Sequence, residues 1–154
     1  MKSISSIRIG ITALAATFII LLPMLCRADD VSDVKAEFNK YVEYMAADDP
    51  KVLDMFKADC VVRFTYLSGA DLQARVVATK DFLQTIKDGI AKKEGGHDDY
   101  KHISAKQEGA DVRVECTMVS GDGSGTVGPF SAVYTHDADG KWRIKELSIM
   151  VPAP

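Results

Sequence analysis

From Val31 onward the apolar positions recur at two spacings, and the changes between them divide the chain into elements. Val34, Phe38, Tyr41 and Met45 fall at i, i+4, i+7 and i+11, with Val31 and Val42 beside them, which predicts an amphipathic helix over Val31–Ala47. Asp48-Asp49-Pro50 breaks it, and Pro50 suits the first turn of a short second helix over Lys51–Phe56. From Asp59 to Leu67 the spacing becomes two: Cys60, Val62, Phe64 and Tyr66 share one face of a strand, and Val61, Arg63, Thr65 and Leu67 the other. A turn at Ser68–Asp71 predicts a return strand over Leu72–Val77. Phe82, Leu83, Ile86 and Ile90 predict a third helix, from Lys80 to Lys93, with Thr79 as its N-cap and Glu94-Gly95-Gly96 as its end.

The rest of the chain reads as strands. Tyr100–Gln107 predicts a strand with one polar face. A three-stranded meander follows. Val112, Val114, Cys116 and Met118 alternate with Arg113, Glu115 and Thr117, so one face is expected dry and one wet. Phe130, Ala132, Tyr134 and His136 share a face of the next strand, and the Asp137–Gly140 turn leads into the last, which carries Trp142, Ile144, Leu147, Ile149 and Val151. The break in alternation near Lys145-Glu146 predicts a bulge. The loop Gly121–Gly125 lacks the Lys and the following helix that a phosphate-binding loop needs.

The N-terminus has a different pattern. Lys2 and Arg8 precede an uncharged apolar run of 17 residues, Ile9–Leu25, and Cys26-Arg27-Ala28 places a small residue before Asp29. This is the layout of a secretory signal peptide over residues 1–28, with one domain at 29–154. The run is shorter than the ~20 residues a spanning helix needs, so no stable membrane insertion is expected after cleavage, and a periplasmic or secreted location follows. Cleavage removes Lys2, Arg8 and Arg27 and no acid, leaving 16 basic against 22 acidic residues, net −6. An acidic domain without a Lys/Arg cluster is a poor partner for nucleic acid, which wants a basic patch. Export permits a disulfide between Cys60 and Cys116, while the absence of CxxC argues against a redox motif or a cysteine zinc site.

The element order, the Asp48-Asp49-Pro50 break, the run from Phe56 to Phe64 followed by Arg75–Leu83, and the ending Asp139–Leu147 (DGKWRIKEL) together resemble the nuclear transport factor 2-like superfamily. That superfamily includes ketosteroid isomerase, scytalone dehydratase and the polyketide-cyclase-like proteins. The resemblance covers nearly all of the mature chain. It implies an α+β, cone-shaped, cystatin-like fold, with helices packed on a strongly curved, mostly antiparallel sheet. It also implies a pocket between the concave face and the first and third helices, and a homodimer through the sheet. In that fold the strands of Cys60 and Cys116 stand about three apart. At ~4.8 Å per strand this exceeds the ~7 Å bridging limit, so two buried thiols are expected unless curvature closes the gap.

Tyr41, Phe64, Tyr66, Met118, Phe130, Tyr134 and His136 are the residues expected to line such a cavity. No residue stands out as catalytic. Enzymes of this fold use a carboxylate or His whose pKa an apolar cavity tunes; Asp59, Arg63 and Asp71 lie in the right region without a clear inward direction, and His102 qualifies by type alone. His97-Asp98-Asp99 with His102 has ligand residue types at no zinc spacing, so no metal and no cofactor are expected. Three functions remain open. The first is binding of a small apolar ligand or a protein partner through the cavity or sheet face. The second is lyase or isomerase chemistry in the cavity. The third is a dimeric interaction module whose cavity its own side chains fill.

Overall fold

The computed structural model describes residues 28–68, 71–94, 97–121 and 127–152. The expected signal peptide, apart from Ala28, and the Gly-rich loop after Gly121 lie outside the described residues. Helix α1 spans Ala28–Ala46, with Asp29 and Asp30 in its first turn, where carboxylates suit the positive end of the helix dipole. A 3-10 helix over Pro50–Met55 follows; Asp49 caps it, its carboxylate accepting the Lys51 N–H at 2.9 Å. Then come β1 (Phe56–Ser68), β2 (Asp71–Val77), α2 (Thr79–Lys92), β3 (Asp99–Glu108), β4 (Asp111–Val119), β5 (Val127–His136) and β6 (Trp142–Pro152). The predicted elements are all present, and β1 starts three residues earlier than its alternation suggested. Thr79 is the first helical residue instead of the cap: Ala78 occupies the cap position, and the Thr79 hydroxyl donates to the Cys60 carbonyl, tying α2 to β1.

The six strands form one open sheet in the order β2-β1-β6-β5-β4-β3, antiparallel except for the parallel pair β1–β6. Val112 pairs with Tyr134, Val114 with Ala132 and Cys116 with Phe130, so these side chains cover the same concave face. Ile144, Leu147 and Ile149 continue it on β6, and Val62 and Phe64 on β1. α1 packs against β3 and β4, α2 against β1, and the 3-10 helix touches both helices. The core lies between: Val34, Phe38, Tyr41, Val52, Phe56, Val62, Phe82, Val114, Phe130, Ile144 and Leu147 are all buried.

The expected bulge sits at Lys145. Glu146 pairs with Val133, yet Ile144 pairs with Tyr134, so Lys145 is the extra residue and β6 bends there. The shift turns Glu146 away from the core, opposite Val61 and Val133. Lys145 is held by Asp111 at 2.5 Å. Burial opposes ionisation of Asp111, but hydrogen bonds from Lys145 and Thr135 outweigh it and hold its carboxyl below the ordinary carboxylate value. The folded pKa is therefore below the unfolded one. The pair's stabilisation is fully present above the usual ~4 and disappears as pH falls through the depressed value. Asp111→Asn is expected to lower stability in denaturant titrations at pH 7 and to match the parent protein near pH 2; a pH-independent difference would show that the pair plays no part.

Candidate functional site

The concave side of the sheet is occupied by rings. Phe38 lies 5.5 Å from Tyr100 and 5.8 Å from Phe130, centroid to centroid, and Tyr41 lies 6.1 Å from Phe130. Tyr100 meets Phe130 edge-on at 5.2 Å, and Tyr41 meets Phe56 at 6.2 Å. These are the edge-to-face and offset distances that aromatic rings prefer. Each ring comes from an inward position of its element, so α1, β1, β3 and β5 jointly plug the cone.

The residues expected to line a cavity separate into three groups. Tyr41, Met118, Phe130 and Tyr134 are buried members of this plug and of the core around it. Phe64 and Tyr66 are half-buried and stacked on each other at 6.4 Å, with Phe64 also 6.1 Å from Phe82, so they sit nearer the rim. His136 does not line the interior. It keeps the parity of Tyr134 but is exposed at the end of its strand, opposite the buried Trp142. Its exposed ring lies 3.7 Å from the Trp142 ring, and its Nδ1–H donates to the Gly140 carbonyl at 3.1 Å.

The polar content of the interior consists of phenols and thiols. Tyr41 and Tyr100 are hydrogen-bonded to one another. Burial drives both phenols above their ordinary value, and burial likewise raises Tyr134, whose hydroxyl has no partner among the described residues. All three are therefore neutral donors and not bases. Cys60 and Cys116 are free and buried, three strands apart, and burial pushes each thiol up to about 12. A thiol that remains protonated is a poor nucleophile. Among the described residues no carboxylate or histidine is buried, and no group of three His, Cys, Asp or Glu is arranged to hold a metal. Asp98 instead accepts the Gly121 N–H at 3.0 Å, and so joins the start of β3 to the end of β4.

Open space lies at the rim. One cleft of about 530 Å³ lies between α1, the 3-10 helix and the β5–β6 turn. It is lined largely by charges that already have partners. Arg143 forms ion pairs with Asp137 and Asp139 at 2.9 Å each and donates to the Asp54 carbonyl, Lys40 bonds Glu37, and Lys51 lies over the Tyr44 ring. A second cleft of about 460 Å³ separates the end of α1 from α2. Met45, Ile86 and Ile90 form its apolar wall, and Asp48, Thr85, Asp88, Gly89, Lys92 and Glu94 line the rest. It exists because α2 rests on β1 and the 3-10 helix and leaves its half-buried Ile86 and Ile90 unmatched by α1. Sequence periodicity identified Ile86 and Ile90 as core; only the splay of the two helices makes them a wall.

The molecule is thus an α+β cone in which aromatic side chains of the described residues pack the interior, with a partly apolar cleft at the rim between two helices. Solved structures with this architecture include a nuclear transport factor 2-like protein of unknown function from Pseudomonas putida, 10% identical over 80% of this chain and 87% of its own, with a TM-score of 0.63. A candidate dehydratase of the same fold family from Streptomyces avermitilis is 17% identical over 80% of this chain and 96% of its own, with a TM-score of 0.58. The β subunit of benzoate 1,2-dioxygenase from Burkholderia mallei is 14% identical over 79% and 90%, with a TM-score of 0.55. No family model matches the chain, and no curated protein matches it. The chain has the nuclear transport factor 2-like, cystatin-like fold, and likeness at these identities specifies no subfamily.

Proposed function

We propose that the chain is an exported, periplasmic or secreted binding domain that takes a small apolar molecule in the cleft between α1 and α2. The supporting observation is the cleft itself: about 460 Å³, with an apolar wall of Met45, Ile86 and Ile90 beside the polar groups of Asp48, Thr85, Asp88, Lys92 and Glu94. Ligand sites are mostly apolar concavities of several hundred Å³ with few polar groups. Export rests on the N-terminal pattern Lys2, Arg8, Ile9–Leu25 and Ala28. Among the described residues no helix is long and apolar enough to cross a membrane. Lyase or isomerase chemistry would need a desolvated carboxylate or histidine, and no described interior position offers one.

A thermal-shift and denaturant screen of residues 29–154 with steroid-like and aromatic compounds tests this reading. A ligand held at 100 times its Kd should add about 2.7 kcal/mol of stability. Ile90→Lys should abolish that gain, with the ligand-free protein still folding cooperatively. The reading fails if no compound stabilises the protein, or if Ile90→Lys leaves the gain intact.

A second reading, a homodimer through the sheet, is favoured by one observation. Val61, Leu72 and Val76 are exposed large apolar residues, and all three project from the side of the β1–β2 hairpin opposite Val62 and Phe64.

A further inference from the structure

The two free edges of the sheet are built differently. At one end, β3 carries Asp99, Lys101, Lys106 and Glu108, and its ladder to β4 is interrupted between Lys101 and Ser104, where His102 has a φ of +57°. Charges and bulges of this kind block pairing with another strand. At the other end, β2 (DLQARVV) pairs with β1 without a register break and contains no Pro and no Lys. Its Leu72 and Val76 are 62% and 63% exposed, the highest values among the exposed large apolar residues. A regular edge strand with exposed apolar side chains is a template for another strand.

The order of residues along β2 specifies which strand it suits. We infer that β2 pairs antiparallel with β2 of a second copy of this chain, about a two-fold axis at Ala74, joining two six-stranded sheets edge to edge. This deepens the homodimer reading above and rests on it. A two-fold at Ala74, the middle of the seven residues, sets Leu72 against Val76 of the other copy and Gln73 against Arg75. Apolar side chains then meet on the outer face, and an amide meets a guanidinium on the inner one, with no like charges opposed. The side chain at the axis is a small alanine. A residue on a two-fold faces its own copy, so the outward-directed N–H and C=O groups of one strand meet those of the other. Moving the axis to Arg75 would oppose two arginines, and moving it to Gln73 would take Val76 out of the pairing. A single strand pair buries less than the ~1,200 Å² of a standard interface, so the dimer belongs to the weak, concentration-dependent class.

Sedimentation of the mature chain over a concentration series reaching the millimolar range tests this, together with two kinds of variant. The mass should rise from one protomer towards two. Leu72→Lys combined with Val76→Lys should hold it at one, with an unchanged melting curve because both positions are exposed. Ala74→Cys should oxidise to a covalent dimer, since facing residues in a bonded antiparallel pair have Cα atoms ~5.5 Å apart, within the disulfide range. Gln73→Cys, whose copies stand roughly 8 Å apart in this register, should oxidise at least about tenfold more slowly. The parent protein, whose Cys60 and Cys116 are buried, should give no covalent dimer. A dimer that survives the double lysine change, with no preference for Ala74→Cys, would place the interface on the sheet face and overturn the edge pairing alone. A chain monomeric at every concentration, with equal cysteine rates, would overturn the homodimer as well.

Discussion

Phe38→Ala is expected to cost about 3–5 kcal/mol of folding free energy, read as a drop in the denaturant midpoint at unchanged slope. Phe38 is fully buried at the centre of the plug, with its ring within 6.0 Å of Tyr41, 5.5 Å of Tyr100 and 5.8 Å of Phe130. Truncation forfeits the ring's transfer from water and leaves a void, because the surrounding rings are anchored to three different elements and cannot close on it together. Three aromatic contacts are lost as well, each worth about 0.5–1.5 kcal/mol beyond area. The void has a further readout. It should turn the plugged cone into an open one, so benzene or indole should restore part of the lost stability in the variant and do nothing to the parent. A cost below about 1 kcal/mol, with no rescue by either compound, would mean that the interior is not packed as described.

The second large effect is expected at Gly128. A methyl group there would stand 2.4 Å from the Met150 carbonyl oxygen, which is backbone and cannot swing aside. Gly128→Ala therefore has to push β5 away from β6 near Phe130 and Ile149, where β6 also pairs with β1. A cost of about 1–3 kcal/mol is expected. Gly89→Ala is the matched control. It lies inside α2 with nothing within 4 Å of the added methyl, so removing the glycine should stabilise by about 0.4–1 kcal/mol. Equal effects of the two substitutions in thermal or chemical denaturation would refute the close approach at Gly128. Gly89 also borders the cleft between α1 and α2, so its extra methyl offers a mild probe of ligand affinity.

Much of this architecture was legible in the residue order. The 3.6-residue spacing of Val34, Phe38, Tyr41 and Met45 and the two-residue spacing of Val112 to Met118 identify both element and buried face, because each face must bury its apolar side chains. The break of alternation at Lys145 was also local, since an extra residue in a strand reverses which side chains face inward. The site was less legible. Parity placed His136 on the inner face but could not show that its side chain is exposed at the strand end. Parity also placed Phe130 and Tyr41 inward without saying whether they line a space or fill it. That depends on rings contributed by distant elements: Tyr100 on β3, Phe38 on α1 and Phe56 at the start of β1.

By itself the sequence determined the elements, their buried faces, the bulge and the resemblance to a cone-shaped α+β fold, since these depend on periodicity and turn chemistry within short windows. Only the tertiary structure decided three things: that aromatic side chains of the described residues pack the inside of the cone, that a cleft with an apolar wall lies between α1 and α2, and that β2 is the regular, exposed edge. Volume left between helices, and the outermost place in a sheet, are sums over contacts far apart in the chain. No local pattern encodes them.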